Sequence, residues 1–146
     1  MFLQNKDLNI KFCYCWANEN WTKRFSGTDE GVLMKITSTE DNYKNFIESV
    51  LEDFRDERYY RINEKPVISI YRPILIHETK KVLQHWRKRA KEVLGSDLYI
   101  IAVQERDPSV DWSLVGFDAE TEFQPKQVQH LCQDITKKVK LKTISN

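Results

Sequence analysis

Residues 67–103 read VISIYRPILIHETKKVLQHWRKRAKEVLGSDLYIIAV, and their pattern decides the fold class. The apolar runs Val67–Tyr71 and Leu98–Val103 are too short for helices and predict buried strands. Between them, Glu78–Leu94 carries apolar residues at helical spacing, which predicts an amphipathic helix that Gly95 ends. A strand, a helix and a strand in this order predict two parallel strands joined by a right-handed crossover.

The same alternation extends in both directions from this unit. Lys11–Trp16 predicts a strand with both faces buried, and Asp41–Phe54 predicts a helix with one apolar stripe. Leu114–Phe117 predicts a fourth strand, and apolar residues over 128–135 predict a last helix. The expected class is therefore α/β with about four parallel strands and flanking helices. Two architectures fit: an open doubly wound sheet, or part of a (β/α)8 barrel.

Composition and charge exclude several classes of function. The 146 residues fit one domain, and a formal net charge of +1 disfavours a nucleic-acid binder. No apolar stretch approaches the ~20 residues that a membrane span needs. Three cysteines without a signal peptide disfavour a disulfide framework and predict a cytoplasmic location. We expect Cys13 and Cys15, which share a strand face, to be buried and inert thiols.

Polar and aromatic residues gather where the predicted strands end. The candidate site residues are Trp16, Asn18, Glu19, Trp21, Tyr71, Arg72, Gln104 and Glu122. Parallel α/β proteins build their active sites at the carboxyl ends of the strands. These side chains are typical of a sugar site. Carboxyl groups catalyse glycoside cleavage, and amide and guanidinium groups form hydrogen bonds with hydroxyls. Solvated loop carboxylates and core aromatics are the alternative interpretation of the same residues.

Three blocks of the sequence resemble a single family. They are FCYCWANENWTKR (residues 12–24), KPVISIYRP (65–73) and GFDAETEFQP (116–125). In this order they resemble the WbsX-type glycosyltransferases, which are similar to glycoside hydrolase family 99. The resemblance implies one partial barrel domain over residues 1–146, acting on a glycan in bacterial polysaccharide or O-antigen metabolism. We assign Glu19 and Glu122 as catalytic carboxylates and the other candidates as substrate contacts, and we expect no cofactor.

The resemblance also implies that the barrel domain is incomplete. Family members are much longer and carry, after the third block, a Trp-Asn-Glu-Trp motif and a further glutamate that hold the catalytic carboxylates in family 99 hydrolases. Four strands cannot close a barrel, which typically takes ~250 residues. We therefore expect a fragment that lacks the main catalytic pair and self-associates through exposed strand edges. The alternatives are a sugar-binding or inactive remnant and an unrelated open-sheet α/β binding protein.

Overall fold

The structure, a computed structural model, describes residues 2–22, 31–34, 39–104 and 110–123, with only the backbone for residues 21–22, 32–34 and 104. The strands are β1 (Tyr14–Trp16), β2 (Trp21–Thr22), β3 (Val32–Met34), β4 (Arg61–Ile62), β5 (Lys65–Ile70), β6 (Tyr99–Gln104) and β7 (Ala119–Glu122), and the helices are α1 (Glu40–Val50) and α2 (Thr79–Leu94). Four strands form a parallel sheet in the order β1-β5-β6-β7. The predicted α/β class with a parallel sheet is confirmed.

Both helices pack on one face of this sheet. Ile68 of β5 lies in register between Tyr14 of β1 and Ile100 of β6, and both isoleucines are fully buried. Trp86 of α2 belongs to the same core, where its Nε1 donates a 2.9 Å hydrogen bond to the carbonyl oxygen of Tyr43 in α1. The indole is thus fully buried with its single donor satisfied, as a buried tryptophan requires.

The opposite face of β1 contradicts the sequence prediction. Residues 11–16 were expected to be buried on both faces, but Cys13 and Cys15 are exposed. Side chains alternate between the two faces of a strand, and those of Tyr14 and Trp16 join the core beneath the helices. The cysteines therefore face away from the helices, and the expectation that these thiols are buried is wrong.

The fourth parallel strand begins later than predicted. Trp112–Val115 forms a 3-10 turn instead of a strand, because Asp111 accepts a hydrogen bond from the backbone N–H of Ser113 at 3.0 Å. Gly116 follows with a φ of 115°, a conformation that glycine adopts without strain. The chain then enters β7. A four-residue apolar run does not by itself distinguish a strand from a turn packed on the core.

Other boundaries differ by a few residues. Between β1 and α1, the chain forms the antiparallel pair of β2 and β3. The first helix ends at Val50, and Phe54 lies in a separate 3-10 turn, Asp53–Arg55. The predicted helix over 128–135 lies outside the described residues. In the part of the chain that the structure describes, no helix is both long and apolar enough to cross a bilayer.

Arg58 ties the N-terminal segment to the amino end of the sheet. Its side chain is 9% exposed and donates hydrogen bonds to the carbonyl oxygens of Asn5 and Leu8, at 2.8 and 3.1 Å. It also bonds both carboxylate oxygens of Asp56, at 2.9 and 2.8 Å. The ring of Phe2 lies 4.8 Å from the guanidinium carbon, which adds a cation–π contact.

Tyr59 reinforces the same end of the sheet. Its hydroxyl donates to the carbonyl oxygen of Val67 at 2.7 Å and accepts from the backbone N–H of Tyr14 at 3.1 Å. Tyr59 is 1% exposed, so burial raises the pKa of its phenol. The hydroxyl of Tyr14 in turn donates to Asp53 at 2.6 Å. Burial, with this hydrogen bond as the second cause, raises the pKa of Tyr14 to about 12.

Candidate functional site

Asn18 joins the carboxyl ends of β1 and β5. Its side chain is buried, with Nδ2 donating to the carbonyl oxygen of Arg72 and Oδ1 accepting from the N–H of Arg72, both at 2.8 Å. The amide offers one donor and one acceptor to a facing backbone, so it imitates one further residue of strand pairing. The carbonyl oxygen of Trp16 accepts from the backbone N–H groups of Asn18 and Tyr71, at 3.1 and 3.0 Å.

The two hydrogen bonds of the Asn18 side chain hold Arg72 beside Glu19. Nη1 of Arg72 donates to Oε2 of Glu19 at 3.2 Å, and the two side chains are 27% and 35% exposed. Pro73 follows Arg72 and disfavours a helical backbone at Arg72. Arg72 accordingly has a non-helical backbone, with φ −130° and ψ 73°. A guanidinium and a carboxylate, both reachable from solvent, can together donate to and accept from the hydroxyl groups of one ligand.

An aromatic pair lies at the same end of the sheet. The rings of Tyr71, directly after β5, and Phe123, directly after β7, meet edge to face with centroids 5.1 Å apart. Tyr71 is half-buried and Phe123 is 37% exposed. Apolar ring faces beside polar groups are typical of small-molecule sites. Phe123 was not among the candidates, although it lies inside the GFDAETEFQP block next to Glu122.

Glu122 and Glu19 belong to strand ends that are not neighbours in the sheet. Glu122 ends β7, opposite Gln104 in the register with β6, and it is exposed. Because β5 and β6 lie between them, β1 and β7 are roughly 14 Å apart at the spacing of neighbouring strands. The carboxyl pairs of glycoside hydrolases are only ~5–9.5 Å apart. The strand positions therefore do not bring Glu19 and Glu122 together as such a pair, and of Gln104 and Trp21 only the backbone is described.

Trp16 lies in the core and not at this edge. Its ring stacks on Phe46 of α1, with centroids 4.6 Å apart and an interplanar angle of 17°. It also contacts Trp86 and Tyr43, at centroid distances of 5.3 and 5.7 Å. These partners belong to the helices, so the ring fills the layer between sheet and helices. We therefore leave Trp16 out of the candidate site.

Two carboxylates after the predicted fourth strand are structural. Oδ2 of Asp118 accepts from Nη2 of Arg87 at 2.6 Å and from the N–H of Ile100 at 2.8 Å. Oε1 of Glu120 accepts from the backbone N–H of Trp112 at 3.0 Å. Asp118 thus ties the start of β7 to β6 and α2, and Glu120 ties the turn at Trp112 to β7. No group of three or more metal-ligating side chains forms within residues 2–22, 31–34, 39–104 and 110–123.

Comparison with known families gives this site its context. The sequence profile of the family described as Glycosyltransferase WbsX matches residues 1–146. The chain belongs to this family. The resemblance seen in the three sequence blocks is thereby confirmed.

Known relatives of this WbsX-family chain are longer than it is. Two proteins, both called uncharacterized protein WxcX, come from Xanthomonas campestris pv. campestris, strains B100 and ATCC 33913. Each is 32% identical to the chain over 120 residues, which cover 81% of the chain. The match covers 17% of each relative's length. No solved structure matches the chain.

Proposed function

We propose that this WbsX-family chain forms part of the glycan site of an enzyme that transfers or hydrolyses glycosyl units. The observation that carries the proposal is the Glu19–Arg72 pair, 3.2 Å apart, at the carboxyl edge of two neighbouring parallel strands. Asn18 positions Arg72 because its side chain bonds both the N–H and the carbonyl oxygen of the Arg72 backbone. In this proposal the pair binds sugar hydroxyls, and Tyr71 with Phe123 offers the apolar surface for a sugar ring.

The proposal includes a (β/α)8 barrel. The strands β1, β5, β6 and β7 are parallel, both helices pack on one face of their sheet, and Cys13 and Cys15 lie on the other. That is the arrangement of a barrel wall, whose second face is covered by inward side chains of further strands. The relatives, of which the match covers 17%, are long enough to supply such strands. Trp21, Gln104 and Glu122 belong to the proposed rim of the site as sequence-based assignments.

Thiol accessibility tests the barrel. In a Cys132→Ser background, Cys13 and Cys15 should react quickly with a thiol reagent in this chain. In a longer protein that contains the same segment, both should be protected until the protein is denatured. Equal and rapid labelling of the folded longer protein would count against a closed barrel. Slow labelling of the chain alone, at high concentration but not on dilution, would indicate self-association through this face.

Glycan binding tests the site itself. The full chain is titrated with neutral methyl glycosides and with bacterial O-antigen polysaccharides, and binding is followed by NMR. Arg72→Met and Glu19→Gln should each weaken binding about tenfold, equivalent to ~1.4 kcal/mol. The matched controls are Arg89→Met and Glu48→Gln, since that pair lies on the helices with side chains 31% and 45% exposed. Equal loss in the controls, or none in the site variants, would contradict the assignment.

A second candidate function is sugar binding without catalysis by these residues. It is favoured by one observation: two strands, β5 and β6, lie between β1, which Glu19 follows, and β7, which Glu122 ends. Binding that depends on Arg72, with no turnover of the same glycoside by the chain, would support this alternative. Turnover that is abolished by both Glu19→Gln and Glu122→Gln would support the catalytic assignment.

A further inference from the structure

A cavity lies between α1 and α2, separate from the Glu19–Arg72 pair. Its volume is about 460 Å³, within the ~300–1,000 Å³ typical of small-molecule sites. The lining residues are Glu40, Tyr43, Lys44, His77, Glu78, Lys81, Val82 and His85. All of them come from α1, from the first half of α2 or from the two residues before α2. The cavity therefore opens at the amino ends of both helices.

Two of these lining residues carry a buried polar atom that has no hydrogen-bond partner among the described residues. The two atoms are the hydroxyl oxygen of Tyr43 and Nε2 of His85. Tyr43 is 4% exposed, and its ring is held by an edge contact with Trp16. Buried polar groups are nearly always hydrogen-bonded, and leaving one unsatisfied destabilises the fold. A buried hydroxyl that is anchored at a cavity wall without a partner points to a ligand that supplies one.

The charges around the cavity indicate what kind of ligand fits. Lys44 pairs with Glu40 at 2.6 Å, and Lys81 pairs with Glu78, so the charged groups neutralise one another. Both glutamates would repel a bound anion, and both lysines would repel a bound cation. The other polar groups in the lining are the Tyr43 hydroxyl and the imidazoles of His77 and His85, which can donate to and accept from neutral hydroxyls. Val82 is 8% exposed and supplies an apolar wall.

We propose that this cavity is a second carbohydrate site, which binds one ring of a neutral glycan between α1 and α2. A sugar hydroxyl bonds the Tyr43 hydroxyl, a second bonds Nε2 of His85, and an apolar ring face packs on Val82. The site shares no residue with the Glu19–Arg72 pair and would hold a glycan chain near the sheet edge without contacting the reacting bond. This extends the proposed function, and the observations that carry it are independent of that pair.

The test is an NMR titration of the full chain with a panel of neutral methyl hexosides. The methyl signals of Val82 and the imidazole signals of His85 report on the cavity, whereas the signals of Tyr71 and Phe123 report on the sheet edge. We expect saturable shifts at Val82 and His85 for at least one glycoside. Tyr43→Phe should weaken that binding about fivefold, the effect of one hydrogen bond. His85→Phe should weaken it similarly, and Tyr60→Phe, which changes an exposed tyrosine, should not.

Stability separates a binding role from a structural one. Tyr43→Phe removes a buried hydroxyl without a partner, so the melting temperature without sugar should stay unchanged or rise slightly. A clear fall would show that the hydroxyl has a structural partner and would overturn the proposal. Shifts at Val82 with inorganic phosphate but with no glycoside would also overturn it, in favour of an anion site.

The two proposals fail separately. Shifts at Tyr71 and Phe123 alone would remove the second site and leave the proposed function intact. Shifts at Val82 and His85 alone, sensitive to Tyr43→Phe, would support the second site while removing the first. Shifts at neither place for every glycoside would count against both.

Discussion

The two ends of the parallel sheet each hold an arginine against a carboxylate, and the two pairs differ in how they are surrounded. At the amino end, Arg58 and Asp56 have side chains 9% and 7% exposed, and Arg58 also bonds backbone carbonyls of the N-terminal segment. At the carboxyl end, Arg72 and Glu19 are 27% and 35% exposed and meet through a single 3.2 Å contact. Similar residue types thus stabilise the fold at one end and remain reachable by a ligand at the other.

This difference agrees with the different roles that the two ends of the strands have in parallel α/β folds. Loops at the carboxyl ends of the strands carry function, whereas the amino ends contribute stability. Strong, nearly buried hydrogen bonds to a charged group oppose local opening, but they leave no capacity for a substrate. The comparison predicts that substitutions in the Arg58–Asp56 pair change stability and leave glycan binding unaltered, whereas substitutions in the Arg72–Glu19 pair weaken glycan binding and change stability little.

The largest loss of stability is expected for Arg58→Met. The variant leaves Asp56 almost buried without its main partner, and the carbonyl oxygens of Asn5 and Leu8 without a donor. Breaking a buried pair from one side is strongly destabilising. The melting temperature should fall by more than in any variant below, and amide exchange should rise in residues 3–8. Lys88→Met, at a side chain that is 74% exposed and pairs within α2, is the control and should change little.

The next largest effect is a loss of stability in acid. The Arg58 guanidinium, and then Lys6, hold the pKa of Asp56 far below its ordinary value of 3.8. A carboxyl group with a lowered pKa in the folded state stabilises the fold above pH ~4, and this contribution is lost as the pH falls below that value. Urea midpoints measured across this range should fall less steeply in Asp56→Asn than in the wild type. Parallel curves would contradict the role of Asp56.

Asn18→Asp should affect both stability and binding. The new carboxylate still accepts from the Arg72 N–H but no longer donates to the Arg72 carbonyl oxygen, which leaves that oxygen without this partner. We expect a loss of about 1–2 kcal/mol, the cost of one buried unsatisfied group. Glycan affinity should fall about tenfold because Arg72 is no longer held in place, a difference of ~1.4 kcal/mol. Chemical denaturation and NMR titration of the same sample measure both.

A smaller change is expected in alkali, again at the amino end. Burial and the hydrogen bond to Asp53 raise the pKa of Tyr14 to about 12 from 10.0. The fold therefore gains stability that is complete below pH ~10 and is lost as the pH rises from there through the raised pKa. Tyr14→Phe should reduce the fall in melting temperature across that range. Tyr59 titrates in the same direction, so part of the fall should remain in the variant.

Glu19→Gln should change stability least. Partly exposed ion pairs contribute only ~0–1 kcal/mol, and the glutamine amide can still accept from Arg72. We expect a melting temperature close to that of the wild type, together with the tenfold loss of glycan affinity proposed above. A large drop in melting temperature would place Glu19 among the structural residues, with Asp56, and would remove the contrast between the two ends.

The candidate site could be predicted only in part. Asn18, Glu19, Tyr71 and Arg72 were found because they follow apolar runs that became β1 and β5. Trp16 was assigned as a substrate contact but packs in the core, because the strand pattern does not tell which face of the strand the helices cover. Phe123 was missed because its partner, Tyr71, is distant in sequence and meets it only after β5, β6 and β7 align. No sequence motif marks the cavity between α1 and α2, because its lining residues are distributed over two helices.

By itself, the sequence determined the α/β class, the two helices and the family of this protein. Those features depend on local periodicity and on contiguous blocks, such as the alternation over residues 67–103. Only the tertiary structure decided which arginine is buried, which carboxylates are tied to backbone and which face of β1 is exposed. These outcomes depend on contacts between distant segments, as between Arg58 and Asn5 or Asn18 and Arg72. Burial and hydrogen-bond satisfaction are properties of the assembled fold, so no local pattern encodes them.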